Sequence, residues 1–152
     1  MTPRRVVLTV HGTPQPKGSL KAFRAYRSKR LVVTSDNPKL RAWQLSVRAA
    51  ALQTRGRWRT FAGPVTVHCQ FVLPRPTSYP RRVVHHTRKP DLDKLVRAVL
   101  DALAADVLFG DDAAVIDLHA SKAYACAGVV PGVVITVADA TTPEAGGPQP
   151  CP

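Results

Sequence analysis

Acidic residues are scarce in this chain, ten in 152, and only one of them, Asp36, precedes residue 90. The same stretch carries nineteen Lys or Arg and stands at a net charge of +18, while the remainder, with three bases (Lys94, Arg97, Lys122) and nine acids, stands at −6. Solubility does not require such an excess, so the cationic part points to a polyanionic partner. Cysteine is also sparse: Cys69, Cys126 and Cys151 are odd in number and share no CxxC spacing, which argues against a disulfide framework and a zinc site and predicts reduced thiols. No apolar run approaches the roughly 18 to 20 residues of a membrane span. The paired arginine near the start is followed by only a short apolar stretch, Val6 to Val10, so this segment reads as a strand rather than a targeting signal and the expected location is the cytoplasm, without a membrane partner. Internal repeats are lacking.

What is present describes one globular domain. A chain of 152 residues buries roughly 70% of its unfolded surface and folds without cross-links. The 14 Pro and 9 Gly predict long loops. Arg5 to Val10 is β-branched and predicts a first strand, ended by HGTPQPKG. Residues 17 to 39 read as an irregular basic segment with Phe23 and Tyr26 among its cations. Pro38 suits the first turn of a helix running to about Thr54, with Leu40, Trp43, Val47, Ala50 and Ala51 on one side. Pro64 to Leu73 alternates Val65, Val67, Cys69, Phe71 and Leu73 against polar residues, as a half-buried strand does.

A Pro-rich basic loop leads to a second helix over about Asp91 to Ala104, whose Leu92, Leu95, Val96, Val99, Leu100 and Leu103 form one apolar face. Residues 114 to 124 predict a strand with Ile116, Leu118 and Ala120 facing in, and Val129 to Ala138 a last strand. The expected organisation is one domain over residues 1–138 and a disordered Pro/Gly-rich tail over 139–152.

Seven of the ten acids fall between Asp91 and Asp117. Asp91 and Asp93 open a helix, where capping and pairing with Arg97 would account for them. The adjacent Asp111 and Asp112 change that balance, because like charges crowded into one short region of a basic protein call for a cation between them. Two or three carboxylates plus water suit Mg²⁺, which also binds substrate phosphate. Other motifs fail. A calcium loop starting at Asp91 has Leu95 and Val96 where an oxygen ligand and Gly belong, and GTPQPKGS has Lys17 and Gly18 in the reverse of the phosphate-loop order. His85 and His86 lack partner ligands and read as solvent-exposed or phosphate-contacting.

The stretch KPDLDKLVRAVLDAL from Lys89 to Leu103, followed by FGDDAAVIDLHASKAYA from Phe109 to Ala125, resembles the RusA family of Holliday junction resolvases. VHGTPQPKGSLK resembles that family's opening strand and loop, and GVVITV its last strand. The resemblance implies an α+β fold, a small mixed sheet of about four strands packed with two main helices, in a homodimer. It implies an Mg²⁺-dependent endonuclease, with Mn²⁺ as a substitute, that cuts four-way DNA junctions in recombination and repair, in a phage or prophage setting. Carried over by position, Asp91, Asp93 and Asp112 match the family's metal-binding catalytic carboxylates, with Asp111 beside them, and Arg97 stands where the family has a catalytic Lys. Asp101, Asp117 and Lys122 match further family positions. Two residues depart from the pattern: Lys94 replaces the usual Asn, and Arg97 keeps the charge of Lys but gives up a proton far less readily.

The cationic half then has a DNA-binding role. Lys17, Lys21, Arg24, Arg27, Lys29 and Arg30 form one basic run, Arg55, Arg57 and Arg59 another, and Arg75, Arg81, Arg82, Arg88 and Lys89 a third, with Lys94 and Lys122 closer to the acids. Phe23, Tyr26 and Trp58 are candidates for stacking on unpaired bases or for the core. A junction has approximate two-fold symmetry, and paired cuts need two sites related by a matching axis, hence the expected dimer. The alternative is a non-catalytic, architectural DNA-binding protein of the same fold with a site weakened at Lys94 and Arg97.

Overall fold

The computed structural model describes residues 4–18, 20–24, 26, 31–35 and 37–140. Its centre is a four-stranded sheet of β1 (Arg5–His11), β4 (Val65–Leu73), β5 (Val115–Tyr124) and β6 (Gly132–Asp139), in the order β1-β6-β4-β5. The β1–β6 and β6–β4 pairs are antiparallel, and β4 and β5 run parallel. Parallel neighbours need a long crossover connection. Here that crossover contains α2 (Leu92–Leu103), and α1 (Leu40–Arg55) lies between the remaining strands in sequence. The expected α+β mixed sheet with two main helices is therefore what the chain forms.

Alternation dictates which side of each strand is covered. Val6, Leu8 and Val10 of β1 are buried while their neighbours are exposed, and β4 buries Val65, Val67, Cys69, Phe71 and Leu73. Against this face pack Trp43, Val47 and Ala51 of α1 and Leu95, Val99 and Leu103 of α2, all within one core cluster. Each large apolar side chain so buried contributes roughly 1.5–3 kcal/mol. The Gln44 side-chain amide joins the helices by donating to the Ala98 carbonyl at 3.2 Å. Gly132 faces Val10 so closely that a Cβ there would lie 2.2 Å from the Val10 carbonyl oxygen.

Three expectations are corrected. The segment read as irregular contains an antiparallel hairpin, β2 (Leu20–Arg24) and β3 (Leu31–Ser35), which suits the β-branched run at Leu31–Thr34. The first helix begins at Leu40, two residues later than Pro38: the Asn37 side chain accepts from the Lys39 backbone N–H at 3.1 Å and the Leu40 N–H bonds to the Asn37 carbonyl, so Pro38 occupies a turn before the helix. Ile116 does not face in but is 65% exposed, because the strand bulges there: Val115 pairs with Val65 and Asp117 with Thr66, which leaves Ile116 without a partner, while Leu118 lies toward α2 as expected and is 44% exposed at the sheet edge. The residues of the expected tail from 141 onward lie outside those described, as does Cys151. No helix among the described residues is long and apolar enough to cross a membrane.

Candidate active site and nucleic-acid interface

The crossover between β4 and β5 builds the site. Asp91 occupies the N-cap position of α2 with extended backbone (φ −72°, ψ 141°), and its carbonyl accepts from the Leu95 N–H at 3.2 Å. Its carboxylate makes no capping hydrogen bond. Capping therefore does not explain this acid, which instead faces the Lys94 ammonium at 3.6 Å. One residue into the helix, Asp93 is exposed, and Arg97 one turn on is exposed as well. The surface pair that would have accounted for Asp93 is not formed among the described residues.

After α2 the chain reverses through Ala105 and Asp106, both in the left-handed region (φ 53° and 63°), and buries Val107, Leu108 and Phe109. That anchor positions the acidic turn next to it. The Asp111 carboxylate accepts from the Ala113 N–H at 2.8 Å and caps a single 3₁₀ turn, Asp112–Ala114, leaving the Asp112 carboxylate exposed at the start of β5. Asp93, Arg97 and Asp112 line one depression of about 540 Å³, floored by Leu92, Val96, Leu100, Leu118 and Ala120. Asp91 opens instead onto a neighbouring cleft of about 820 Å³ together with Lys94, Arg88 and Lys89.

The structure thus brings Asp93 and Asp112 to one depression, sets Asp91 at its neighbour, and gives Asp111 a turn-holding hydrogen bond. Among the described residues no three of Asp, Glu, His and Cys converge on one point. Two carboxylates are nevertheless a usual protein contribution to Mg²⁺, whose other positions go to water and substrate phosphate, so the donor set of Asp93 and Asp112 fits a hard divalent cation.

The basic residues divide. Arg81, Arg82, Arg88 and Lys89 are exposed around the 74–90 loop. Lys17 is not free: its ammonium lies 2.5 Å from the Asp101 carboxylate, and its N–H donates to the Lys94 carbonyl, fastening the 13–18 loop onto α2. Lys122 donates to the carbonyls of Arg88 and Pro90, each at 2.8 Å, tying β5 to the segment that delivers Asp91. Lys21 and Arg24 lie on β2, of which only the backbone is described, and Arg27, Lys29 and Arg30 lie outside the described residues, as does the Phe23 side chain. Trp58 is 73% exposed among Arg55, Arg57 and Arg59, and so is not a core residue.

Set beside known protein families, residues 12–138 match the model for endodeoxyribonuclease RusA. The chain belongs to the RusA endodeoxyribonuclease family. RusA proteins are divalent-metal-dependent hydrolases that resolve Holliday junctions, and the matched span takes in the whole crossover with its carboxylates. No curated protein matches the chain.

Sequence reasoning missed an aromatic cluster in this RusA chain. The His86 and Tyr124 rings lie 4.4 Å apart, and Tyr79 meets Tyr124 edge-on at 5.8 Å. Arg75 and Arg88 sit over the Tyr124 and Tyr79 rings at 5.2 and 4.9 Å. His86, expected to be solvent-exposed or phosphate-contacting, is half-buried, and burial, with the Lys122 charge adding, pushes its imidazole below the ordinary value. A tyrosine inside the Pro-rich basic loop was the available signal.

Proposed function

We propose that this protein is an Mg²⁺-dependent endonuclease that resolves four-way DNA junctions as a cytoplasmic homodimer, with Mn²⁺ able to replace Mg²⁺. The observation that carries the reading is the depression shared by Asp93, Asp112 and Arg97, inside the segment matched to RusA. Asp93 and Asp112, with Asp91 approaching once a phosphate competes for Lys94, would hold the metal. A bound Mg²⁺ supplies a more acidic water and stabilises the departing oxygen. Arg97 contributes fixed charge to the scissile phosphate, a role that needs no proton from it. Arg81, Arg82, Arg88 and Lys89 hold the flanking phosphates, and Leu92, Val96 and Leu100 keep water off one side of the depression.

The dimer is supported by the approximate two-fold symmetry of the junction, which one site per chain cannot serve alone. The domain takes in the RusA-matched residues 12–138 together with the rest of the sheet, from Arg5 to Asp139. The experiment is cleavage of a synthetic four-way junction against linear duplex of the same sequence, with Mg²⁺ or with chelator. Wild type should make paired nicks in the junction alone. Asp112→Asn should abolish cleavage while leaving binding intact, and Arg97→Met should lower the rate by about a hundredfold or more, with Arg97→Lys restoring it. Equal loss of binding and cleavage in Asp112→Asn would remove that residue from catalysis.

One observation favours a second reading, a non-catalytic junction-binding architectural protein: the Lys94 ammonium already sits beside Asp91. Tight junction binding with no metal-dependent cleavage would select it.

A further inference from the structure

The cleft beside Asp91 has features that phosphate binding and hydrolysis leave unused. Its volume, about 820 Å³, falls in the range of sites that enclose an organic ligand. One wall is built from rings: Tyr79, His86 and Tyr124 together with Pro74, Pro76 and Pro90. The lining also carries the cations Arg88, Lys89 and Lys94, beside Asp91. A cleft that offers both rings and cations is complementary to a nucleotide taken out of the stack, its base against the rings and its phosphate on the cations.

The Tyr79 ring is placed to serve that ligand. Tyr79 is half-buried, and its ring stands perpendicular to that of Tyr124, so this contact takes at most one of its two faces. In the free protein Arg88 lies over the Tyr79 ring at 4.9 Å. Arg88 is itself exposed, and a solvent-exposed cation over a ring is a weaker partner than a nucleobase stacked on it. A base can therefore displace the guanidinium, which then has the phosphate of the same nucleotide to bind. His86, packed on buried Tyr124 at 4.4 Å between ring centroids, backs the wall.

Resting on the resolvase reading above, we propose that this cleft receives a nucleobase unstacked at the branch point, that Tyr79 stacks on it, and that Arg88 moves from the ring to the phosphate. Unstacking is easiest where strands exchange, so the cleft favours branched over linear DNA and brings the displaced nucleotide beside Asp91.

The test places 5-iododeoxyuridine at the branch point of a four-way junction, and in linear duplex of the same sequence, and irradiates each with the full-length protein in chelator. The expected adduct maps to Tyr79 or His86 with the junction and is absent with duplex. In parallel, Tyr79→Ala should weaken junction binding roughly 5- to 150-fold, with linear-duplex affinity unchanged as the check on folding, and Tyr79→Phe should bind as wild type does. A wild type that prefers junctions, combined with unaltered binding by Tyr79→Ala and adducts elsewhere, overturns this inference alone. A wild type that binds junction and duplex equally overturns the resolvase reading along with it.

Discussion

Replacing Lys122 by Met removes two hydrogen bonds while keeping most of the apolar stem. The ammonium donates to the carbonyls of Arg88 and Pro90 at 2.8 Å, the first bond exposed and the second half-buried. A shielded hydrogen bond from a charged donor contributes about 1.5–3 kcal/mol, and solvent competition reduces an exposed one to about 0.5 kcal/mol. The loss on substitution is therefore about 2 kcal/mol, which for a domain of this size lowers Tm by roughly 4–8 °C. Calorimetry of wild type and variant measures it. The Arg88–Pro90 segment that delivers Asp91 loosens with it, so junction cleavage should fall more than duplex binding does. A Lys122 that contacts DNA phosphate behaves differently: Tm would be unchanged and the slope of log affinity against log salt would drop by about one. That pair of results would refute the reasoning.

Two further outcomes are set by the fold. Gly132→Ala should destabilise by roughly 3 kcal/mol or more, seen in urea unfolding, because a Cβ there meets the Val10 carbonyl oxygen at 2.2 Å in the β1–β6 pair and neither strand can yield without loss of register. Cys69 is buried and its thiol is pushed up to about 12 by burial, whereas Cys126 is exposed, so in the folded protein a thiol reagent at pH 8 should label Cys126 and spare Cys69 until the protein is unfolded, as read by peptide mass.

The elements legible in the sequence were those whose burial is settled by their own periodicity. The α2 face repeats at helical spacing, and the alternation of β4 survives because α1 and α2 cover one side of the sheet. Leu118 points toward α2, as its alternation implies, yet stays 44% exposed because β5 lies at the edge, and strand order is not written in any one segment. The β2–β3 hairpin was hidden by its cations, which dominate a reading by composition. At the site, the Asp-rich motif and its spacing were visible, but the division of labour was not. That Asp111 holds a turn, that Lys17 is paired with Asp101, and that Lys94 faces Asp91 depend on contacts between residues distant in sequence or on which way one side chain turns. The Tyr79–Tyr124–His86 cluster joins a loop to the far end of β5, a pairing with no local signature.

The parallel alignment of β4 with β5 has a consequence for the nascent chain. Asp91, Asp93 and Asp112 all lie on the one connection between these strands, and Asp112 is placed by the turn that opens β5. The loop is long, and its ends meet only when β5 docks beside β4, a step that carries the entropy of closing the whole crossover. Asp93 and Asp112 therefore come to one depression only once α2 and the turn that opens β5 have both packed. The proposed site is in that sense a product of tertiary closure rather than of any one segment.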